Sequence, residues 1–477
     1  MYDVVIIGAG ITGSMLAMEL SRYQLKAAVV EKENDVADEA TMANSAIIHA
    51  GYDPLDGTLK AKLNVAGSRR YEKICQDLHC LYQKCGAFIA ATSPEEEATQ
   101  DQLIRQATER GIPFAILSGD EARAQEPNLS DQVSRVLSFP TTAVVYPWQI
   151  AIACMQVAVG NGVELHLNTQ VTAIERMEGG YRVITPAASF ETRLVVNAAG
   201  IAADKICGMV SANPGFTMKP KKGEYFVIDS NVRDYTHHVI YPVPGKKGKG
   251  VLCVPTVYGN YLLGPNSEYI DPEEEERGNT QSGLDYVRAN IGKIMKNVPL
   301  NHVIRTFAGL RPSSSSADFI INEAEDAPGF INAASIESPG LASAPGIADY
   351  IIEQFISRHL PLTVNPDARM EREKPVVMSE LSPEEREQKI KENPLYGRII
   401  CRCEQISEGE IVDCIHAPVG ARSVKGVKKR VRPGMGRCQG GFCEPRVLTI
   451  LARELDESML DVVLDSKKSR ILESENR

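Results

Sequence analysis

Four cysteines between residues 401 and 443 are spaced as ligands of a metal centre. Cys401 and Cys403 are separated by one residue, and after 34 further residues Cys438 and Cys443 form a second pair with four residues between them. Four thiolates in two pairs can hold a [2Fe-2S] cluster or a zinc ion. Structural zinc more often has about two to four residues within each pair, so the spacing of the first pair favours the cluster. Cys414 lies between the pairs and is interpreted as a core thiol.

A second chemical signature is the glycine pattern at the start of the chain. Gly8-x-Gly10-x-x-Gly13 follows an apolar run and opens a helical segment, and Glu31 lies 18 residues after Gly13. Gly8 permits a tight turn, Gly10 lets the backbone approach a pyrophosphate, and Gly13 lets helix and strand pack closely. The helix N-terminus stabilises phosphate charge, and Glu31 can accept hydrogen bonds from a ribose. The pattern predicts a dinucleotide site but does not choose between FAD and NAD.

The strands that must position this site are dispersed along the chain. Short apolar runs typical of buried parallel strands occur at 3–7, 27–30, 194–197 and 330–333. Segments 225–228 and 261–263 instead suit an antiparallel sheet. The sequence therefore predicts an α/β fold, with a Rossmann-like nucleotide-binding domain interrupted by an antiparallel-sheet substrate domain.

This pattern gives a set of predicted domain boundaries. The nucleotide-binding domain takes residues 1–214 and 306–360, the inserted domain 215–305, a linker 361–396, the cysteine-bearing domain 397–460 and a loose polar tail 461–477. One helix is expected in the linker, from Pro383 to Glu392. An acidic run from Asp271 to Arg277 indicates the start of a solvated helix.

Bulk composition excludes several classes of function. The 477 residues are 43% hydrophobic and 24% charged, as in ordinary globular proteins. A formal net charge of −10 argues against a nucleic-acid partner. No apolar run reaches the roughly 20 residues of a spanning helix, and we see no signal peptide before the first strand. The other cysteines are scattered and fit free thiols, so we expect a cytoplasmic protein, peripheral to a membrane only through a partner.

Several segments resemble one flavoprotein superfamily. Residues 44–51 (NSAIIHAG), followed by 57–61 (GTLKA), resemble the flavin-contacting segment of the glycerol-3-phosphate and 2-hydroxyglutarate dehydrogenase branch of the D-amino-acid-oxidase-like superfamily. Residues 197–200 (NAAG), 307–312 (FAGLRP) and 337–341 (ESPGL) resemble further flavin and substrate segments in the expected order. The resemblance covers residues 1–360 and implies FAD as the cofactor.

The glycine pattern and the resemblance together give the expected FAD contacts. They are Gly8, Gly10, Gly13, Glu31, Lys32, Asn44, Ser45, Val171, Ala199, Gly200, Gly309, Gly340 and Leu341.

The cysteine segments resemble a second family. Residues 400–404 (ICRCE) and 438–443 (CQGGFC) resemble the bacterioferritin-associated-ferredoxin-like domain, which also occurs at the C-terminus of anaerobic-type glycerol-3-phosphate dehydrogenases. This resemblance implies a [2Fe-2S] cluster held by Cys401, Cys403, Cys438 and Cys443. Between Arg422 and Arg437 there are seven Lys or Arg and no acid. These cations can stabilise a reduced cluster, dock an acidic partner or form an ordinary solvated face.

Residues that would handle the substrate follow from the same resemblance. Arg311 occupies the superfamily's substrate-arginine position, where a guanidinium can bind carboxylate or phosphate; a structural ion pair is the alternative. His49 is the candidate base that accepts the hydroxyl proton. Two alternatives are that it serves only to pack against the flavin, or that it carries a covalent link to the flavin. Tyr258 and Lys222 are weaker candidates for the pocket. His237 and His238 are interpreted mainly as surface residues.

The combined patterns predict a flavin dehydrogenase acting on a small anionic hydroxy compound. The expected reaction is oxidation of sn-glycerol 3-phosphate to dihydroxyacetone phosphate, with electrons leaving through the cluster to an acceptor protein or partner subunit. A 2-hydroxy acid such as 2-hydroxyglutarate is the first alternative, because residues 44–61 match that branch equally well. The other is a flavin subunit of a multi-subunit amine or amino-acid dehydrogenase.

Overall fold

The computed structural model describes residues 1–245, 250–271 and 277–474. Its strands are β1 (Tyr2–Ile7), β2 (Ala27–Val30), β3 (Ile47–Ile48), β4 (Tyr82–Gln83), β5 (Ala87–Ala91), β6 (Ala115–Ser118), β7 (Arg135–Phe139), β8 (Ala143–Val145), β9 (Glu164–His166), β10 (Ala173–Met177), β11 (Gly180–Ile184), β12 (Ser189–Asn197), β13 (Lys221–Ile228), β14 (Val239–Pro242), β15 (Leu252–Pro255), β16 (Tyr261–Gly264), β17 (Glu268–Tyr269), β18 (Val303–Arg311), β19 (Ile320–Ala324), β20 (Ala327–Ala334), β21 (Ile399–Cys401) and β22 (Ile406–Ser407).

The helices connect and cover these strands. They are α1 (Ile11–Leu20), α2 (Leu59–Ser68), α3 (Tyr71–Asp77), α4 (Pro94–Glu109), α5 (Gly119–Gln125), α6 (Pro147–Gly160), α7 (Ala203–Cys207), α8 (Gln281–Ile291), α9 (Gly340–Ile351), α10 (Ser357–His359), α11 (Pro383–Glu392), α12 (Glu408–His416), α13 (Val424–Val431) and α14 (Glu444–Leu455). No helix within the described ranges is long and apolar enough to cross a bilayer.

The first sheet has the predicted Rossmann-like centre. Strands β9, β2, β1, β12 and β20 run parallel in that order, and β10, β11 and β19 extend the sheet with antiparallel pairs. Ile7 is paired with Val30 on one side and with Asn197 on the other. The loops after these three strands therefore meet at one edge, where this class of fold binds its ligands. Helix α1 is apolar on nearly all sides because it is buried between the sheet, α6 and α9.

The second sheet differs from the expected inserted domain. Its order is β17-β13-β16-β15-β14-β5-β7-β6, with β18 also paired to β13, and all its pairs are antiparallel except β14–β5. Strands β5, β6 and β7 come from residues 87–139, outside the range 215–305 expected for the substrate domain. The fully buried run 87–91 has no alternation, so its pattern could not assign it to one sheet or the other.

The C-terminal part forms a small unit of its own. Strands β21 and β22 and helices α12, α13 and α14 surround a core that includes Ile411, Ile415, Val427 and Leu451. The helix predicted from Pro383 to Glu392 is confirmed as α11, which the Ser382 side chain caps.

The described part of the predicted tail, residues 461–474, is not loose as its polar composition suggested. Val462 is fully buried in the core of the C-terminal unit, and Ile471 and Leu472 pack against that core. Asp465 forms an ion pair with Lys425 at 2.6 Å. A few apolar side chains therefore fix a segment whose average composition is polar. Residues 272–276 of the acidic run and residues 475–477 lie outside the described part of the chain.

Candidate active site and cluster centre

The turn between β1 and α1 forms a cradle that side chains would close. Gly8 has φ +105°, and a Cβ there would lie 2.5 Å from the Ala198 carbonyl oxygen. A Cβ on Gly13 would lie 2.0 Å from the Gly8 oxygen. Gly10 differs, because a Cβ added there would meet only the Thr41 hydroxyl, at 3.2 Å. The space beside Gly10 therefore belongs to the cavity at the N-terminus of α1, a position that suits a pyrophosphate.

Glu31 is held as a hydrogen-bond acceptor directly after β2. Its Oε2 accepts from the Ala9 N–H at 2.7 Å, and its Oε1 accepts from the Glu33 N–H at 3.0 Å. Burial raises the pKa of Glu31 to about 7. Its carboxylate and the neighbouring Lys32 line the same cavity as the glycine turn, in the place where a ribose hydroxyl would be bound.

The structure gathers nearly all the predicted FAD contacts around this cavity. Gly13 lies behind the turn, where it packs against Gly8 and Ile6. The predicted contacts that line the cavity are Gly8, Gly10, Glu31, Lys32, Asn44, Ser45, Val171, Ala199, Gly200, Gly309, Gly340 and Leu341. A single cleft that joins the phosphate cradle to segments 44–49 and 309–312 fits an extended dinucleotide such as FAD.

His49 lies at the same cavity, immediately after β3. Its side chain is buried, and its Nδ1 lies 3.2 Å from the hydroxyl oxygen of Tyr241. The Asn64 amide donates to the His49 carbonyl oxygen at 2.9 Å, which fixes the backbone. The imidazole is thereby oriented by groups from two other elements, β14 and α2.

Arg311 ends β18 and lines the cavity as well. Its guanidinium donates to the Asn266 carbonyl oxygen at 3.1 Å and lies 3.3 Å from the Ser267 hydroxyl. In the described chain, no carboxylate lies within 4.0 Å of it, so the alternative of a structural ion pair is not what the geometry shows. A Cβ on Gly223 would lie 2.4 Å from Nη2, and this glycine therefore leaves room for the guanidinium.

Sequence reasoning missed two aromatic side chains that shape the site. The Tyr225 hydroxyl lies 3.0 Å from the Ser45 hydroxyl, and the Tyr225 ring stacks on Phe307 with centroids 4.6 Å apart. Tyr241 contacts His49 as described above. Tyr225 lies on a strand that the sequence predicted, whereas Tyr241 lies on β14, which it did not. Even where a strand is predicted, its pattern does not reveal which distant loop its side chains contact.

Other candidate residues lie elsewhere. Lys222 is buried on β13 and lines neither cavity described here. His238 stacks on Phe88, and its Nδ1 lies 2.7 Å from Oε1 of Glu126, which also accepts from the His237 and His238 backbone N–H groups. This histidine pair is a structural feature of the second sheet. Tyr258 lines a second cavity and not the flavin cavity.

The four predicted cluster ligands lie together, and each contact joins one cysteine of the first sequence pair to one of the second: Cys403 to Cys438 and Cys401 to Cys443. The sulfur atoms of Cys403 and Cys438 are 3.8 Å apart, and a hydrogen bond from Cys443 lowers the pKa of Cys401 to about 6. No three Cys, His, Asp or Glu side chains in the described ranges converge on a single metal position. A [2Fe-2S] cluster needs two thiolates on each of its two irons, and these four cysteines supply that number. Cys414 is buried and donates to the Ile411 carbonyl oxygen, as expected for a core thiol.

A second cavity separates the flavin cavity from the cluster ligands. It has a volume of about 450 Å³ and lies between the second sheet, α13 and the start of α14. Ala43, Asn44 and Ala46 line both cavities, and Cys443 lines the second one. Arg432 and Tyr258 both line this cavity and contact each other, with the guanidinium 3.5 Å from the centre of the Tyr258 ring.

The basic stretch from 422 to 437 docks the cluster-bearing unit onto the rest of this chain. Lys429 pairs with Asp35 at 2.9 Å and with Asp38 at 2.7 Å, and Arg430 pairs with Asp35 at 2.8 Å. Arg437 pairs with Asp229 at 2.9 Å. The acidic partner is therefore supplied by the chain itself, and the solvated-face interpretation is wrong for Lys429, which is fully buried.

Comparisons with known proteins identify a family for each of the two parts of the chain. The family described as FAD dependent oxidoreductase matches residues 3–354, and the BFD-like [2Fe-2S] binding domain matches residues 399–453. A glycerol 3-phosphate dehydrogenase of Caloramator mitchellensis is 44% identical over 473 residues, covering 99% of this chain and 98% of that protein. A glycerol 3-phosphate oxidase of Mycoplasma pneumoniae is 32% identical over 360 residues, 72% of this chain and 92% of that protein.

A solved structure shares the fold of the larger part. The dithionite-reduced L-alpha-glycerophosphate oxidase of Mycoplasma pneumoniae, with FAD bound, superposes with a TM-score of 0.75 at 28% identity, covering 79% of this chain and 99% of that one. The chain therefore belongs to the FAD-dependent oxidoreductase family and carries, in addition, a C-terminal [2Fe-2S]-binding domain.

Proposed function

We propose that this enzyme oxidises sn-glycerol 3-phosphate to dihydroxyacetone phosphate and passes the electrons out through its cluster domain. The observation that carries the proposal is that His49 and Arg311 line the cavity that also holds the FAD contacts. The full-length likeness to a glycerol 3-phosphate dehydrogenase supports the choice of substrate. FAD supplies a hydride acceptor when bound, and the cluster supplies a carrier of single electrons.

Residues of the cavity can remove the proton of the substrate hydroxyl and orient the bound substrate. Oxidation at C2 removes a hydride from the carbon and a proton from its hydroxyl, which leaves the ketone. When Nδ1–H of His49 donates to the Tyr241 oxygen, Nε2 carries the lone pair that takes the hydroxyl proton. Arg311 orients the bound substrate through charge-assisted hydrogen bonds.

The arrangement of the two cavities supports an exit toward the cluster. Asn44 and Ala46 line both cavities, and Cys443 lines the second, so the second cavity extends from the wall of the flavin cavity to a predicted cluster ligand. Cys403, another predicted cluster ligand, is exposed at the protein surface.

We further propose that an acidic one-electron carrier protein binds at this exposed side. Phe442 is 83% exposed, and Arg402 and Arg446 are exposed near the two cysteine pairs in sequence. An exposed aromatic ring with nearby cations is typical of a protein-binding surface. Phe442→Ala should slow transfer to the natural acceptor while leaving reduction of FAD by the substrate unchanged; equal rates with that acceptor would remove this surface from the proposal.

An anaerobic bleaching screen tests the proposed substrate. The oxidised holoenzyme is mixed with sn-glycerol 3-phosphate, 2-hydroxyglutarate, other hydroxy acids and amino acids, one at a time, and the FAD absorbance is followed. We expect rapid bleaching with sn-glycerol 3-phosphate and slow or no bleaching with the others. Rapid bleaching by a hydroxy acid or amino acid, with none by sn-glycerol 3-phosphate, would contradict the proposal.

A further inference from the structure

The carboxylate of Glu337 joins several segments at the wall of the flavin cavity. Glu337 lines that cavity and is partly buried. Its Oε1 accepts a hydrogen bond from Lys60 Nζ at 2.9 Å, while its Oε2 accepts from the Ser313 hydroxyl and lies 3.8 Å from Lys221 Nζ. Burial would raise the pKa of Glu337, but the Lys60 charge and the Ser313 hydroxyl outweigh it and hold this pKa below its ordinary value. Glu337 is therefore ionised at neutral pH, and both of its carboxylate oxygens already have partners.

Two of these contacts reach the part of the chain that carries Arg311. Ser313 is buried, and its N–H donates to the Arg311 carbonyl oxygen at 2.8 Å. Lys221 lies directly opposite Arg311 in the register of β13 and β18. Glu337 therefore contacts both strands beside Arg311.

The backbone of Glu337 begins the turn into α9. Its carbonyl oxygen accepts from the N–H of Gly340, the first residue of α9, and both Gly340 and Leu341 line the flavin cavity. Lys60 lies on α2, which packs closely on α9, because a Cβ added to Gly67 of α2 would lie 2.4 Å from a backbone oxygen of α9. The predicted FAD contacts at the start of α9 and the segment of Arg311 are thus both connected to one carboxylate.

We propose that Glu337 is a positioning residue, which sets the place of the substrate held at Arg311 relative to the flavin held at the start of α9. Hydride transfer requires the reacting atoms to lie about 3–3.5 Å apart, and a misplacement of about 1 Å can cost roughly 100-fold in rate. Arg311 has bonds of its own to Asn266 and Ser267, so binding of the substrate does not require Glu337. This role rests on the proposed function only in that Arg311 binds the substrate.

Rapid anaerobic mixing of the oxidised holoenzyme with sn-glycerol 3-phosphate tests this role. The limiting rate of flavin bleaching and the apparent Kd of the substrate are obtained separately from the dependence on concentration. Glu337→Ala should lower the limiting rate by about tenfold or more and leave the Kd at its wild-type value. Ser313→Ala should lower the rate by a smaller factor, because Lys60 and Lys221 still hold Glu337. FAD content reports whether each variant is correctly assembled.

A titration without turnover gives a second readout. Dihydroxyacetone phosphate, the expected product, does not reduce the oxidised flavin, and its binding is followed through the flavin absorbance. Glu337→Ala should bind it with the wild-type Kd but give an altered difference spectrum, because the ligand then lies differently relative to the flavin.

Two further variants separate this role from a general loss of stability. The double variant of Glu337→Ala and Ser313→Ala should bleach no more slowly than Glu337→Ala alone, since the Ser313 hydroxyl acts through Glu337. Asp349→Asn is the matched control. It breaks the ion pair between α9 and Arg70, at a residue that lines neither cavity, and should bleach at the wild-type rate.

Four results would overturn the assignment. They are wild-type rates and difference spectra in both Glu337→Ala and Ser313→Ala, a raised Kd with an unchanged limiting rate, additive losses in the double variant, and an equal loss in Asp349→Asn. If Glu337→Ala does not retain FAD, Ser313→Ala decides, and a wild-type limiting rate in that variant counts against the role. Failure of sn-glycerol 3-phosphate to bleach the wild-type flavin would contradict only the proposed function, and the same comparison would then use the compound that does bleach it.

Discussion

Arg311 is the side chain whose removal should separate substrate binding from cofactor binding. Arg311→Ala leaves the glycine cradle and Glu31 intact, so FAD content should stay at the wild-type level. Loss of a charged hydrogen-bonding partner in a buried site costs about 2–5 kcal/mol, which corresponds to roughly 30-fold or more in kcat/KM. Arg358→Ala, at an exposed arginine, is the control. An unchanged kcat/KM in Arg311→Ala would remove this residue from the site.

His49 should act on the proton and not on the attachment of FAD. His49→Asn should lower kcat by about 10²–10⁴-fold, the usual contribution of a general base. Tyr241→Phe should cause a smaller loss, because it removes only the group that orients the ring. Measuring the pH dependence of kcat in both variants separates the two roles: loss of a base removes the acidic limb of the profile, whereas loss of an orienting group keeps it.

The same residue decides whether the flavin is covalently linked. We expect FAD to be held without a covalent bond, through Gly8, Gly10, Glu31 and the rest of the cavity. Precipitation of the holoenzyme with acid should then leave the yellow colour in the supernatant. Colour that stays with the protein pellet, and is lost in His49→Asn, would make His49 the attachment site.

Among individual residues, the sequence predicts those whose role depends on local spacing. Gly8, Gly13 and Glu31 act through a turn and the strand next to it, and the pattern alone identifies them. Tyr225 and Tyr241 meet Ser45 and His49 across 180 and 192 residues of sequence. Contacts of this kind depend on how the two sheets pack, which no local pattern contains.

At the scale of elements, α13 should hold the cluster unit in place through buried ion pairs. Asp35 is buried and pairs with both Lys429 and Arg430. Asp35→Asn should destabilise this contact by about 3–5 kcal/mol, the usual effect of leaving buried charges without a partner. Chemical denaturation and limited proteolysis between residues 361 and 396 measure the loss. Glu387→Gln breaks an exposed pair with Lys391 and should cost less than about 1 kcal/mol; an equally small effect in Asp35→Asn would show that other contacts dock the unit.

The ion pairs of Asp35 with Lys429 and Arg430 also predict how docking of the cluster unit depends on pH. Burial alone would raise the pKa of Asp35, but the charges of Arg430 and Lys429 outweigh it and hold the pKa well below its usual value. The stabilisation is therefore fully present above the unfolded pKa of about 4 and is lost as pH falls through the lower folded value. Wild type and Asp35→Asn should converge in stability in this acidic range.

Elements are predictable where their periodicity is distinctive. Strands β1, β2, β12 and β20 of the first sheet follow from their short apolar runs, and α11 was also predicted from the sequence. The other strands of that sheet, β9, β10, β11 and β19, were not predicted. Strands β5, β6 and β7 join the second sheet for a different reason: β5 pairs with β14, from a part of the chain about 150 residues away. Such a pairing depends on the path of the whole chain.

At the scale of the whole molecule, the net charge conceals a local arrangement. The chain is acidic as a whole, yet its most basic stretch is turned inward onto Asp35, Asp38 and Asp229. Composition and spacing identified the basic stretch but could not reveal that its acidic partner is the same chain. This docking creates the second cavity and places Cys443 on the side of the flavin cavity, with Cys403 at the outer surface.

The cluster should therefore be needed for electron exit and not for oxidation of the substrate. Cys403→Ser removes the exposed ligand of one thiol pair and should abolish or strongly deplete the cluster, measured as iron content and by electron paramagnetic resonance. FAD content should survive, and the substrate should still bleach the flavin, because His49 and Arg311 lie in the separate flavin cavity. Transfer to the natural acceptor should fall sharply, whereas Cys85→Ser, at a cysteine outside the cluster site, should change none of these quantities.

Stoichiometric zinc without iron in anaerobically purified protein would contradict the assignment of the centre. A Cys403→Ser variant that turns over with its natural acceptor at the wild-type rate would make the domain structural or regulatory.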